Sequence, residues 1–254
     1  MRVGGNSAAV LFLGAALAVG LASCAALGGP ETELAATSIE KLEYYPYLVK
    51  GYQGSYPSRT VLILMPVDNR EFVDTATDDH APQGVDPAIG VTLDQKQAVS
   101  QRLYSDPLAP IVQQAIIRSA QEAGLTPVAS PETEYHPGAK VNADYVLATK
   151  ISRGWVIKRR GSEETYGPTW STAANFALTL TLYKPPFSVP FWQGTSASTY
   201  NDPPVGSFAL GPEDETGIYD NPGEVLSVAL TRSVAGVFDQ AELRSLIMQD
   251  EVRP

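Results

Sequence analysis

Cys24 is the one thiol in a chain of 254 residues, and a thiol is the softest nucleophile a side chain can offer. Nothing in the sequence equips it for catalysis. The two histidines, His80 and His136, each lie in a polar loop containing proline. No His-Glu-x-x-His or Cys-His spacing is present to hold zinc. A Gly-x-Ser-x-Gly elbow and a phosphate loop are equally absent. Asp74, Asp78, Asp79 and Asp86 surround His80, but their spacing fits neither a calcium loop nor a zinc site. They and Glu213-Asp214-Glu215 read as solvated loop faces. Glu132 with Glu134, or Asp202 with Glu213, would be carboxylate pairs for an enzyme acting on envelope polymers, with nothing to bring them together. Lys158-Arg159-Arg160, ahead of Gly161, reads as the exposed end of a β-hairpin. The chain is thus expected to be no enzyme, with no metal and no diffusible cofactor.

What precedes Cys24 gives the thiol another use. Arg2 supplies a positive start, Ser7 to Ala22 an apolar core, and Leu21-Ala22-Ser23 a small-residue approach to the cysteine. The core is too short to serve comfortably as a permanent membrane span. An incidental cysteine could fall anywhere; this one follows that tripeptide directly. The segment resembles the signal peptide and lipobox of bacterial lipoproteins. That resemblance implies cleavage after Ser23 and a covalent diacylglycerol and N-acyl chain, such as palmitate, on Cys24. Acyl chains contribute about 0.8 kcal/mol per buried methylene, so several of them anchor a body stably. Ala25, not an aspartate resembling an inner-membrane retention signal, follows. The expected location is the periplasmic face of the outer membrane in a Gram-negative cell, or the cell membrane otherwise. A lone cysteine also rules out an intramolecular disulfide.

Composition narrows the partners. The formal charge is −10, and loss of Arg2 with the leader makes it about −11, the wrong sign for binding nucleic acid or anionic headgroups. The acyl anchor is then the expected contact with the membrane, and a protein complex of the envelope the expected partner. Any small-molecule ligand stays unspecified. Twenty prolines and 21 glycines predict long punctuated loops around one core.

The chain divides into a signal peptide (1–23), a lipidated tether with an aromatic edge segment (24–58) and a globular domain (59–254). In the second part, Tyr44-Tyr45-Pro46-Tyr47-Leu48 with Tyr52 and Tyr56 is expected to pack on the domain edge. Thr60 to Pro66 reads as a central strand buried on both faces, and Asp68 to Gln101 as a long loop. Asp106-Pro107 predicts a helix start, with Asp as N-cap and Gly124 as terminator. Asp144 to Ile151 is a further buried strand, which Trp155 to Lys158 extends or pairs with before a polar connection at 159–168. Ala174 to Tyr183 alternates apolar and polar residues, with Phe176, Leu178, Leu180 and Leu182 on one face, and Val189 to Tyr200 is its antiparallel partner. A loop at 201–222 precedes a helical region, Gly223 to Gln249, broken near Asp239-Gln240. This order predicts a single α+β domain, a mixed or antiparallel sheet covered on one face by two helices.

Between the last two strands, Lys184-Pro185-Pro186-Phe187 and then Phe191-Trp192 place aromatics beside stiff prolines, with Tyr200 further on. Rigid aromatic segments lose little entropy on binding. These residues are the candidate partner-binding surface, although a purely structural role on a strand explains Phe191 and Trp192 as well.

The order of elements over 59–249 resembles the auxiliary lipoproteins of ABC-type transport systems. More distantly, it resembles the curli-secretion lipoprotein and the amino-terminal domain of the translocation protein TolB. Local echoes are Met65-Pro66-Val67, the helix end at Ala123-Gly124, the strand entry Ala143-Asp144-Tyr145-Val146-Leu147 and the helix from Leu226 to Phe238. The resemblance implies a non-catalytic accessory or assembly component of an envelope transport complex. A pore-forming export lipoprotein is the alternative, though Pro190 and Gly194 interrupt the strand it would need.

Overall fold

Neither the strand from Gly167 to Tyr183 nor that from Pro190 to Asn201 carries a charged side chain, and the first buries every second residue from Thr172 to Leu182. The structure, a computed structural model, describes residues 35–39, 42–48, 56–70, 88–138, 140–164, 167–201, 205–206 and 221–250. Its strands are β1 (Ala35–Ser38), β2 (Thr60–Ile63), β3 (Val67–Asp68), β4 (Gly90–Leu93), β5 (Val99–Tyr104), β6 (Thr126–Ala129), β7 (Tyr145–Glu164), β8 (Gly167–Tyr183), β9 (Pro190–Asn201) and β10 (Val205–Gly206). Its helices are α1 (Leu108–Glu122), α2 (Pro222–Phe238) and α3 (Ala241–Asp250). The class is α+β, with one large mixed sheet.

The 20-residue β7 is the spine. Along one edge it pairs antiparallel with β8, which pairs with β9. Along the other it pairs in parallel with β2 near its start and with β4 near its end, and these continue outward to β6 and to β5–β1. Phe176, Leu178, Leu180 and Leu182 all face the core, as their spacing requires. Against that face lie α1, through Leu108, Val112, Ala115 and Ile116, and α2. Gly124, at φ +98°, ends α1 in the left-handed conformation that glycine adopts without strain.

Helix α2 buries twelve residues, more than one helical face. The chain at 42–48 accounts for this by lying across its outer side. The amides of Glu43 and Tyr45 donate to Ser227 Oγ and Thr231 Oγ1, each at 2.9 Å. On its inner side, Ser196 Oγ donates to the Ser233 carbonyl at 2.6 Å and Ser233 Oγ returns a bond to the Ser196 carbonyl at 2.9 Å. Asn221 caps the helix through its side chain. The helical region breaks at Asp239-Gln240 into α2 and α3.

Several expectations need correction. The segment assigned to tether and edge enters the sheet itself: Ala35–Ser38 pairs with β5, and Leu42, Tyr44 and Tyr56 are buried. Four small residues carry no apolar period, so nothing marked β1 as a strand. The strand in Thr60 to Pro66 ends at Ile63 and buries alternate residues only, because helices cover one of its faces and not the other. Part of the expected 68–101 loop is the β4–β5 hairpin, closed by Asp94 Oδ1 accepting from the amides of Lys96 and Ala98, both at 2.8 Å. Its polar tip hid the pairing. Residues 71–87, with the acids around His80, lie outside the described residues. Asp106 does not cap α1; Pro107 occupies that position without a side-chain bond. The polar 159–168 connection belongs largely to the arms of β7 and β8.

Candidate functional site

Lys184 to Val189 joins β8 to β9, and the turn closes with the Phe187 amide donating to the Lys184 carbonyl at 3.0 Å. Prolines 185 and 186, joined by a cis peptide bond, leave this stretch few conformations to lose. Phe187 is 63 % and Val189 72 % exposed, the two most exposed large apolar side chains among the described residues.

The base of the turn is braced from beneath. Lys184 Nζ forms an ion pair with Asp250, the last residue of α3, and Tyr145 Oη at the start of β7 donates to the other carboxylate oxygen at 2.7 Å. Phe191 stacks on the Tyr145 ring, with centroids 5.8 Å apart and planes inclined by 29°. The hydrogen bond from Lys184, then that from Tyr145, holds the Asp250 carboxyl below its usual range. Burial first, and the bond to Asp250 second, push the Tyr145 phenol above its ordinary value. Strand β7 places Tyr145, Lys184 directly follows β8, Phe191 is the second residue of β9, and α3 delivers Asp250. Three distant segments and a helix end thus fix one surface turn.

The candidate residues separate in space. Lys184, Pro185, Pro186, Phe187 and Phe191 gather at the turn. Trp192 turns inward and is 5 % exposed, its ring filling the space that a side chain at Gly194 would need: a Cβ there would sit 2.3 Å from it. Trp192 therefore belongs to the core, which corrects its place in the surface. Tyr200 does not join the turn either. It pairs with Ala174 at the opposite end of β9, under the Arg232 guanidinium at 4.9 Å from the ring centroid.

Tyr145 and Asp250 were not singled out from sequence; a tyrosine opening an apolar strand was the one available hint. Glu132, Glu134 and His136 are exposed on the loop after β6. Lys158 lies 4.8 Å above the Trp170 ring, on the arm of the hairpin. Leu21, Ala22, Ser23 and Cys24, with Asp202 and 213–215, lie outside the described residues. Among the described residues, no helix is long and apolar enough to cross a membrane.

No family model matches the sequence, and no curated protein does so. Among solved structures, the chain is similar to protein XCC0632 from Xanthomonas campestris, of family DUF330, at 12% identity and a TM-score of 0.47 over 86% of this chain and 99% of that one. It is similar to the PelC dodecamer from Paraburkholderia phytofirmans, at 12% identity and a TM-score of 0.33 over 72% and 90%. It is also similar to lipoprotein GNA1162 from Neisseria meningitidis, at 11% identity and a TM-score of 0.27 over 72% and 100%.

Proposed function

We propose that this protein is a lipid-anchored, non-catalytic accessory or assembly component of a bacterial envelope transport complex, docking its partner through the β8–β9 turn. Cys24 carries the acyl anchor, on the periplasmic face of the outer membrane in a Gram-negative cell. One observation carries the docking role: Phe187 and Val189 stand in solvent on a turn that Lys184, Asp250 and Tyr145 hold in place. Exposed apolar groups on a preorganised support are what a binding hot spot requires. The chain enters the sheet at Ala35, which the ladder through Gln101 and Thr92 aligns with Lys158, whereas the turn adjoins Val146. Twelve strand residues separate those levels of β7, roughly 40 Å.

The test is crosslinking in native envelopes, comparing the wild type with Phe187→Ser/Val189→Ser. The expected result is loss of the crosslinked complex at unchanged melting temperature. A variant that crosslinks like the wild type, or a wild type that stays solitary, would overturn the docking role. Mass spectrometry showing an unmodified Cys24 thiol would overturn the anchor.

A further inference from the structure

The face of the sheet away from the helices carries a second feature. A solvated sheet face ordinarily alternates in charged residues. Here the outward positions of β8 and β9 are Thr179, Thr181 and Tyr183, then Gln193 and Thr195, all uncharged. Above them runs the loop after β6, which lays the Tyr135 ring on Tyr183 with centroids 5.0 Å apart. Between loop and sheet is a cleft of about 840 Å³.

The roof is fixed in advance. Buried Gln113 donates from Nε2 to the carbonyls of Ile63 (3.0 Å) and Ser130 (2.7 Å), and the Met65 amide donates to the Glu132 carbonyl at 2.8 Å. The Tyr135 hydroxyl is buried with no hydrogen-bond partner among the described residues. A buried orphan hydroxyl is an unmet hydrogen-bond demand in the cleft wall.

The lining chemistry discriminates between ligands. Among the described residues, Lys150 is the one cation of the lining and Glu134 the one anion, so a phosphate or nucleotide finds no charge cluster there. Threonine hydroxyls and a glutamine amide suit an acyl chain poorly. An extended peptide adds to an open strand edge; of the strands lining the cleft, β7 and β8 are paired on both sides, and only β9 at the rim, paired with β8 alone among the described residues, offers one. What remains complementary is a ligand with many hydroxyls and apolar C–H faces. The hydroxyls would bond to the threonines and Gln193, and the C–H faces would pack on the tyrosine rings. We propose that this cleft binds a neutral oligosaccharide of two or three sugars. It shares no lining residue with the docking turn, so either assignment can fail without the other.

The experiment is saturation-transfer NMR on the full mature chain in phosphocholine micelles. The probes are maltotriose, cellotriose and chitotriose, with a Gly-Ser-Thr peptide as rival. Saturable transfer to at least one trisaccharide is expected, with dissociation constants on the order of millimolar. Tyr135→Ala should weaken binding about tenfold, equivalent to 1.4 kcal/mol. Thr181→Val, isosteric and on an already folded strand, should weaken it several-fold, and Phe187→Ser should change nothing. The proposal is overturned by no transfer to any of the three sugars, by binding indifferent to Tyr135→Ala in a variant that melts like the wild type, or by transfer to the peptide instead.

Discussion

Asp250 holds two donors at once, and its loss leaves both without a partner. In Asp250→Asn the Lys184 ammonium loses its counter-charge and the Tyr145 hydroxyl its charged acceptor, at a cost of about 1–2 kcal/mol. Because the folded carboxyl lies below its unfolded value, the stabilisation is complete above the ordinary carboxylate range. It fades as pH falls through the depressed folded value. Thermal melts of the two proteins should therefore differ at neutral pH and converge in acid. Trp192 gives the contrasting case. Trp192→Ala should cost about 3–5 kcal/mol by opening a cavity. Trp192→Phe should cost under about 1.5 kcal/mol, since the indole N–H has no hydrogen-bond partner among the described residues and nothing is orphaned by its removal. Phe187→Ser, in solvent, should move stability by no more than about 0.5 kcal/mol in either direction. Chemical denaturation of the three variants ranks them. The sequence could not separate these aromatics, because Phe191 and Trp192 are adjacent and their facing depends on where β9 meets β8.

At the scale of elements, what the sequence showed depended on local period. The alternation of Phe176, Leu178, Leu180 and Leu182 is a property of ten consecutive residues, Ala174 to Tyr183, and that face emerges as read. By contrast, β1 and β4 are four residues each, and their partners come from segments far along the chain. No local pattern can announce such pairing. The cover on α2 was hidden for the same reason, since a helix hydrophobic on more than one face says that something covers it, not what. That cover yields a test. Ser227→Ala removes the acceptor of the Glu43 amide, with a loss of about 1–3 kcal/mol. Hydrogen exchange at residues 42–48 should quicken ahead of the rest of the protein.

At the scale of the whole molecule, the fold class was legible in the sequence, while the cleft under Tyr135 was invisible to it. The cleft needs β3, β7, β8, β9 and the loop after β6 to converge, and each contributes residues that look like ordinary strand surface. The long middle strand carries a different consequence. Because β7 shares its backbone hydrogen bonds with β2, β3, β4 and β8, neither end of the body has a scaffold of its own. Melting must then be all-or-none. Trp192 lies at the Tyr145 end of the sheet, Trp155 at the middle of β7 and Trp170 beyond it. Fluorescence from Trp192→Phe, which reports Trp155 and Trp170 alone, should trace the same denaturation midpoint as Trp155→Phe/Trp170→Phe reports for Trp192, once each is corrected for its own stability by circular dichroism. Two separate midpoints within one variant would mean that the spine can be cut and half the structure survive.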